Sequence, residues 1–327
     1  MTPRPVLEVS DLTVRFRVGE KLITVVDHVA FELQSGEILC LVGESGAGKS
    51  TVAHALMRLI DPPGEIADGR ALFAGRDLLA LNEAEMQAVR GNHICMIFQD
   101  PMATLNPLKR IGEQISEGLR LHRGLSRAAA WQGAVKALRD VGIPAPELRA
   151  RDYPHQLSGG MQQRAIIAAA VAMEPGLIIA DEPTTALDAT IQSQVLDLLI
   201  GLTRTLRTAV ILVTHNMALV AEVADTIGVM YAGALVELGP KAAVLDQPRH
   251  PYTAALIGSI PRADEPERPF VAIPGMMPSV SALPAGCLFH PRCAQMVRPD
   301  CLQRPALTMV GQQHWSACHF AELEITR

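Results

Sequence analysis

The chain has 327 residues, of which 49% are apolar, and a formal net charge of −5. This composition excludes an intrinsically disordered chain and gives no indication of bulk nucleic-acid binding. The first residues lead into an alternating strand pattern rather than a secretory signal, and no apolar stretch approaches the roughly 18–20 residues of a membrane-spanning helix. We therefore expect a soluble protein that reaches a membrane only through a partner.

The first part of the chain predicts strands that lead into a strand–loop–helix unit. Between residues 6 and 42, Leu12 and Val14 alternate with polar residues, which is typical of a half-buried strand. The apolar run 38–42 continues directly into Gly43–Ser50, and a helix-like segment at 51–59 follows. The loop has the form GxxxxGKS, and this context favours a phosphate-binding loop over a chance glycine turn.

Each residue type in this loop has a chemical reason to be there. Glycines allow successive backbone amides to point at one anion, and the helix N-terminus behind them adds its dipole. Lys49 is placed to reach the β- and γ-phosphates of a nucleotide, and the Ser50 hydroxyl to ligate Mg²⁺. The residues predicted to bind the nucleotide are Gly43, Glu44, Ser45, Gly46, Ala47, Gly48, Lys49, Ser50 and Thr51.

The rest of the chain alternates between strand and helix patterns. Helices are predicted between about 101 and 156, and Ser126 is the predicted N-cap of one that stops near residue 142. Strands are predicted at 94–98, 177–180, 210–213, 227–230 and 234–237, and further helices at 191–205 and 217–223. This order predicts an α/β fold with a mainly parallel sheet that has helices on its faces.

A change in composition predicts the domain boundary. From about residue 261 prolines and glycines become dense, which indicates a loop-rich tail that needs a staple to hold a fold. We therefore expect a nucleotide-binding domain at 1–260, with a helical subdomain at about 101–160, and a cysteine-bearing extension at 261–327.

Polar residues follow three of the predicted strands. After the strand at 177–180, one carboxylate of Asp181 and Glu182 can hold Mg²⁺ through water while the other polarises an attacking water. Gln99 is predicted to sense Mg²⁺ and the γ-phosphate, and His215 to contact the γ-phosphate. The alternatives are a common acidic pair, an ordinary turn residue and a structural histidine. For the acidic pair, the phosphate loop upstream favours the functional interpretation.

A second anion-binding segment lies far from the first. Ser158, Gly159 and Gly160 precede a helix that begins near Met161, and such a helix start favours anions. One ATP molecule does not need two such sites on distant segments. We therefore predict that this segment closes on the nucleotide of a second subunit.

The cysteines are concentrated in the tail. Cys287, Cys293, Cys301 and Cys318 all lie after residue 286, whereas Cys40 and Cys95 lie in apolar runs that predict buried thiols. The four tail thiolates favour a metal site, either zinc or an iron–sulfur cluster, and spacing does not decide between these. His290, His314 and His319 lie nearby as further candidate ligands or as solvated loop residues. The remaining alternative is a set of free thiols.

The motifs described above resemble, in order, those of the ABC-type ATPases, over roughly residues 6–260. They are Gly43–Ser50, Gln99, Leu157–Gln162, Ile178–Glu182, Ala186–Asp188 and His215. The resemblance implies a P-loop NTPase core with an antiparallel β subdomain. It also implies a head-to-tail pair of nucleotide domains, with ATP held between one phosphate loop and the opposite Ser158–Gly160 segment.

The same resemblance implies roles for individual residues. It makes Glu182 the general base, His215 a γ-phosphate switch and Asp188 a residue that communicates across the pair. Phe16 is the candidate to stack on the adenine, and strand alternation equally allows it a core position. Asn216 stands where the family usually has Asp after the histidine, which predicts a weaker local hydrogen bond.

Further segments indicate one branch of this family. Phe98–Pro107 and Gln247–Thr253 resemble the dipeptide and oligopeptide importer ATPases, and residues 287–293 resemble their cysteine-bearing extension. The resemblance implies a [4Fe–4S] cluster on the four tail cysteines. It also implies that the chain hydrolyses ATP with Mg²⁺ to power peptide import, although importers of nickel, glutathione or another small solute use similar ATPases.

The implied partners define where the protein works. They are a second ABC ATPase, favoured to be a paralogue, two transmembrane permease subunits, and indirectly an extracytoplasmic solute-binding protein, so the chain is expected at the cytoplasmic face of the membrane. A non-transport ABC ATPase would usually carry coiled-coil insertions or tandem cassettes, which do not appear in the sequence. A nucleic-acid module on the cysteine tail is disfavoured because basic and aromatic residues are not interleaved.

Overall fold

The structure is a computed structural model that describes residues 4–184, 189–260, 273–295 and 299–322. Its strands are β1 (Leu7–Val18), β2 (Lys21–Leu33), β3 (Ile38–Val42), β4 (Gly64–Phe73), β5 (Arg76–Asp77), β6 (Ile94–Ile97), β7 (Leu177–Asp181), β8 (Ala209–Thr214), β9 (Thr226–Tyr231), β10 (Ala234–Pro240), β11 (Thr308–Gly311) and β12 (His314–Ser316). Its helices are α1 (Lys49–Leu56), α2 (Glu83–Val89), α3 (Pro101–Thr104), α4 (Ile111–Arg123), α5 (Arg127–Asp140), α6 (Pro146–Arg149), α7 (Gly159–Val171), α8 (Ala189–Leu206), α9 (Met217–Val223), α10 (Lys241–Asp246) and α11 (Pro251–Gly258). Across these described ranges, we find no helix with both the length and the apolar character needed to cross a membrane.

The chain divides into two compact units. The helical unit comprises residues 1–6, 34–37 and 80–212, and the β-rich unit comprises residues 7–33, 38–79 and 213–327. Chain segments therefore alternate between the two units, and the residues after 273 belong to the β-rich unit. The sequence-based domain boundary near residue 260 adjoins a stretch outside the described residues and stays a prediction.

Helix α7 forms the centre of the helical unit. Most of its apolar side chains are buried, among them Ile166 and Ile167, and it packs against α3, α4, α5, α8 and strand β6. Strands β6 and β7 pair in parallel, with Ile94 opposite Leu177. Because parallel strands end at the same edge of a sheet, the residues that follow β6 and β7 lie at one edge, where open α/β sheets place their ligands.

Two sheets build the β-rich unit. Strands β2, β1, β4 and β5 form an antiparallel sheet in this order, and α1 packs against β1 and β2. In the second sheet, β11, β12, β10, β9 and β3 follow one another, with β3 parallel to β9. The predicted α/β fold with an antiparallel β subdomain is therefore confirmed.

Local signals in the sequence account for most helix limits. Helix α5 begins after Ser126, whose side chain accepts a hydrogen bond from the backbone N–H of Ala129 at 3.2 Å, as an N-cap does. Helix α9 has the predicted limits. Helix α1 ends at Leu56 rather than at residue 59, because Arg58 has a left-handed backbone with φ of 51° that a continuing α-helix does not allow.

The C-terminal tail contains two strands that the sequence did not predict. Strand β12 pairs antiparallel with β10, Trp315 opposite Leu238, and β11 pairs with β12. Nearby, the ring of Phe289 lies 5.3 Å from the ring centroids of both Tyr231 and Tyr252, an edge-on or tilted packing that suits aromatic rings. Strand pairing and aromatic packing therefore hold the tail to the β-rich unit.

A fully buried carboxylate joins three segments of this unit. Glu237 of β10 is 0% exposed and accepts hydrogen bonds from the backbone N–H groups of Arg249 at 2.7 Å and His250 at 2.9 Å. Its Oε1 also lies 2.7 Å from Nε2 of His314, on β12. Because a buried carboxylate is costly unless its oxygens are satisfied, these contacts explain why a charged residue is tolerated there.

We expect Glu237→Ala to lower the free energy of unfolding by about 3–5 kcal/mol, because it leaves two backbone donors and a histidine without their acceptor. Urea denaturation followed by circular dichroism measures the change. Glu32→Ala, at an exposed position of strand β2, is the matched control and should stay within about 0.5 kcal/mol of the wild type. Equal stability of the two variants would contradict the structural role of Glu237.

Candidate functional site

The phosphate loop is folded around the ammonium group of Lys49. Lys49 is the first residue of α1, is 4% exposed, and its Nζ donates to the backbone carbonyls of Gly43 at 2.8 Å and Glu44 at 2.9 Å. These contacts fold the loop over the helix N-terminus. The cation and the dipole of α1 therefore lie at the same point, and both attract an anion.

Two glycines of the loop have no tolerable substitute. Gly43 has φ of 150°, and a Cβ at this position would lie 2.2 Å from the carbonyl oxygen of Met230. Gly48, the N-cap of α1, has φ of 96°, and a Cβ there would lie 2.9 Å from the carbonyl oxygen of Val25. Close backbone packing on β2 and β9 therefore requires glycine and sets the shape of the loop.

The remaining predicted loop residues lie around this turn. Ser45 and Gly46 are exposed, Ala47 is buried, and Ser50 and Thr51 are half-buried in the first turn of α1. The structure therefore brings the predicted loop residues together in one turn of the β-rich unit, and only the tip of this turn, at Ser45 and Gly46, is exposed.

In the helical unit, the ends of β6 and β7 bring two predicted residues together. Nε2 of Gln99 donates to Oε2 of Glu182 at 3.4 Å. Asp181 is buried as the last residue of β7, whereas Glu182 has a left-handed backbone with φ of 45°. Such a backbone is uncommon for a residue other than glycine and is often found at functional sites.

The second predicted anion site is the exposed start of α7. Ser158 is its N-cap and accepts from the backbone N–H of Met161 at 3.4 Å. Buried Gln162 donates to the carbonyl of Pro154 at 2.8 Å and so fixes the turn before the helix. Ser158 and Gly159 are exposed, so this helix N-terminus is accessible to another molecule.

Other predicted site residues lie in the β-rich unit. His215 is exposed and directly follows β8. Oδ1 of Asn216 accepts from the backbone N–H groups of Ala218 at 3.0 Å and Leu219 at 3.2 Å, so asparagine caps α9 well. Phe16 of β1 is half-buried, and a Cβ at Gly64 would meet its ring at 2.6 Å, so part of this ring packs against the backbone.

One predicted residue is not placed. Asp188, like residues 185–187 before it, lies outside the described residues.

The structure corrects the prediction of a metal site in the tail. The thiols of Cys287, Cys293, Cys301 and Cys318 line one small cavity together with several aromatic and histidine side chains. Across the described part of the chain, however, no group of three or more His, Cys, Asp or Glu side chains has an arrangement that could hold a metal ion. The prediction of a [4Fe–4S] cluster, and zinc as its alternative, is therefore wrong.

Three of these thiols lie in surroundings that disfavour their charged form. Burial raises the pKa of Cys287 and Cys293 above its usual range and raises the pKa of Cys318 to about 11. The tail was expected to need a staple. Its strands β11 and β12 and its aromatic packing supply that stabilisation instead.

Sequence reasoning also missed two residues at the phosphate loop. Tyr252 of α11 accepts from the backbone N–H of Glu44 at 2.8 Å through its phenol oxygen. Arg292 forms two hydrogen bonds to the Glu44 carboxylate, at 2.6 and 2.9 Å. Both partners lie more than 200 residues from the loop, so no local pattern could have identified them.

Comparisons with known proteins agree with these motifs. The family described as "ABC transporter" matches residues 26–185, and the one described as "Oligopeptide/dipeptide transporter, C-terminal region" matches residues 236–301. The oligopeptide transport ATP-binding protein OppD of Bacillus subtilis is 46% identical over 94% of this chain and 87% of its own length. The dipeptide transport ATP-binding protein DppD of Escherichia coli is 43% identical over 96% of each chain.

A solved structure shows the same fold. It is the dimeric, post-hydrolysis state of the ATP-binding cassette MJ0796 bound to ADP and phosphate, with a TM-score of 0.64 and 28% identity. The likeness covers 72% of this chain and 98% of that one. Because close relatives match nearly the whole sequence, the chain belongs to the ABC transporter ATPases, in the branch of the oligopeptide and dipeptide transport ATP-binding subunits.

Proposed function

We propose that this chain binds ATP and Mg²⁺ at its phosphate loop and hydrolyses ATP to power the import of di- or oligopeptides through a membrane permease. The observation that carries the proposal is the loop itself, in which Lys49 and the start of α1 form an anion site. The Ser50 hydroxyl of this loop would ligate Mg²⁺. In the helical unit, Gln99 and Asp181 keep their proposed role as Mg²⁺ contacts, directly or through water. The names of OppD and DppD support peptides as the cargo.

The chemical step is assigned to the end of β7. Glu182 would act as the general base that takes a proton from the attacking water, and its hydrogen bond with Gln99 would orient the carboxylate. His215, exposed at the end of β8, would contact the γ-phosphate. Phe16 is proposed to stack on the adenine and Asp188 to connect the two sites of the pair.

A second ATPase subunit completes each site in this proposal. The exposed N-terminus of α7, with Ser158 at its N-cap, would bind the γ-phosphate of ATP held by the partner's loop. The dimeric state of the ATP-binding cassette MJ0796 supports such a pair. A paralogue is the proposed partner. The pair would attach at the cytoplasmic face to two permease subunits, and an extracytoplasmic solute-binding protein would deliver the solute to these subunits.

The permease is proposed to dock on the segment that follows Gln99. Two apolar side chains there are unusually exposed, Met102 of α3 at 74% and Leu108 at 86%. A partner that covers this segment would remove both side chains from water, as at other apolar contact surfaces. The segment follows the Gln99–Glu182 contact directly, so a permease that moves it would also act on the chemistry.

Glu182→Gln should reduce ATP turnover by the assembled transporter about 100-fold or more, because the general base is lost while the phosphate-binding groups remain. ATP affinity should stay within about threefold, and ATP should trap a closed pair of ATPase subunits. Phosphate release, nucleotide binding and size-exclusion chromatography measure these effects.

Glu174→Gln is the matched control for that variant. Glu174 precedes β7, whereas Glu182 follows it, and both have a left-handed backbone. Turnover by Glu174→Gln should equal that of the wild type. Wild-type turnover by Glu182→Gln would contradict the assigned base.

The double variant Met102→Glu, Leu108→Glu should fail to copurify with the permease, because two carboxylates then stand on an apolar contact surface. ATP binding by the isolated chain should not change. Leu121→Glu, on the equally exposed Leu121 of α4, is the control and should copurify normally. Normal copurification of the double variant would exclude this surface as the docking site.

A strain that lacks the gene should lose uptake of labelled di- and oligopeptides, and the wild-type chain but not Glu182→Gln should restore it. Nickel and glutathione uptake, measured in the same strains, are the controls and should not change. If the deletion strain instead loses nickel or glutathione uptake, the wild-type chain restores it, and peptide uptake stays unchanged, then that solute rather than a peptide is the cargo.

A further inference from the structure

The C-terminal segment around Arg292 contacts the phosphate loop directly. Arg292 lies at the end of a short 3-10 turn, His290–Arg292, and its side chain is 5% exposed. Two of its nitrogens donate to the two carboxylate oxygens of Glu44, at 2.6 and 2.9 Å. This paired geometry is the strongest form of an arginine–carboxylate contact and fixes both partners in orientation.

The guanidinium is itself held from several sides. Its Nε donates to the carbonyl of Pro274 at 2.8 Å, and one terminal nitrogen donates to the phenol oxygen of Tyr231 at 3.3 Å. The same group lies 5.8 Å from the ring centroid of Tyr231 and 5.9 Å from that of Phe289, within the range of a cation–π contact. Arg292 is therefore a fixed anchor rather than a mobile surface cation.

Two further contacts join the same region to the loop. The phenol oxygen of Tyr252 accepts from the backbone N–H of Glu44. A Cβ at Gly46 would lie 3.2 Å from Cε of Met277, so the segment that leads to Arg292 also lies against the tip of the loop. Both the side chain and the backbone of Glu44 are thus fixed by residues that follow β10.

The charge of Glu44 gives this anchor a function. A carboxylate in the phosphate loop repels the phosphates of an incoming nucleotide, and it also accepts hydrogen bonds that could pull the loop out of shape. Arg292 neutralises the carboxylate and fixes it in one orientation. We propose that Arg292 is a positioning residue for ATP binding, which holds the Glu44 carboxylate in place and thereby cancels its repulsion of the nucleotide.

This inference rests on the proposed role of the phosphate loop and extends it to a residue of the tail. Arg292→Met keeps an unbranched apolar side chain of similar length but removes the charge and the hydrogen-bond donors. We expect it to weaken binding of a fluorescent ATP analogue, with Mg²⁺, to the full chain about tenfold. In the assembled transporter, KM for ATP should rise while kcat changes less than about twofold, as expected for lost binding rather than lost chemistry.

Addition of Glu44→Gln separates this role from a purely structural one. If the unpaired carboxylate causes the defect, the double variant Arg292→Met, Glu44→Gln should recover ATP affinity to within about threefold of the wild type. Lost packing alone would not be repaired by this second change. A double variant that binds ATP as weakly as Arg292→Met overturns the proposal, and so does wild-type affinity of Arg292→Met.

Arg304→Met is the matched control, because it removes another tail guanidinium, which pairs with Asp27 at 2.6 Å instead of with the loop. Its ATP affinity should equal that of the wild type, and an equal loss in both variants would overturn the proposal. If Arg292→Met does not fold, as judged by thermal unfolding, Arg292→Lys decides. It keeps the charge without the paired geometry, and we expect about threefold weaker binding. Wild-type affinity of Arg292→Lys would then overturn the proposal.

Lys49→Ala distinguishes this inference from the function on which it rests. Loss of ATP binding by Lys49→Ala together with normal binding by Arg292→Met would refute only the role of Arg292. Normal ATP binding by Lys49→Ala would refute the phosphate-loop assignment itself.

Discussion

The buried ammonium group of Lys49 is the interaction on which the nucleotide site depends. Its hydrogen bonds to the Gly43 and Glu44 carbonyls fold the loop back over the start of α1 and place a cation where the helix dipole is already positive. A buried cation is stable only when polar atoms replace its water, and here backbone carbonyls do so. The glycines at 43 and 48 follow from the same constraint, because the loop can close around Lys49 only while its backbone packs directly on β2 and β9. Contacts within the protein therefore define the shape of the anion site, and such preorganisation lowers the cost of binding.

Much of this fold and site could be predicted from sequence, because the signals are local. The strand before Gly43, the helix behind the phosphate loop and the N-cap of α5 at Ser126 each depend on neighbours within a few positions. The structure contains all three, with the helix ending at Leu56 rather than at residue 59. The sequence predicts Gln99 and Glu182 each at the end of a strand, and the parallel pairing of these strands in the structure brings the two side chains together. The left-handed backbone at Glu182 was not predictable, because no feature of the residues around it signals a positive φ.

What sequence did not predict consists mainly of contacts between distant segments. Strands β11 and β12 are short, and they are strands only because β10 offers an edge for pairing. Glu237 lies in a predicted strand, but nothing in the sequence indicated that it is completely buried and bonded to His314 and two backbone donors. The four tail cysteines show the opposite error. Four clustered thiols suggested a metal site as the staple of the tail, whereas strand pairing and the packing of Phe289 stabilise this region.

The contact between Arg292 and Glu44 connects the C-terminal tail to the phosphate loop. If packing of the tail favours the loop conformation that binds ATP, then ATP must favour packing of the tail by the same factor, because coupling between two binding equilibria is reciprocal. With this coupling, packing of the tail would affect the affinity of the ATPase core for ATP. Whatever loosens the aromatic cluster of Phe289, Tyr231 and Tyr252 would weaken the hold on Glu44, and through it the affinity for ATP. A partner that binds the tail would thus have a physical route to the phosphate loop that requires no change at the loop itself.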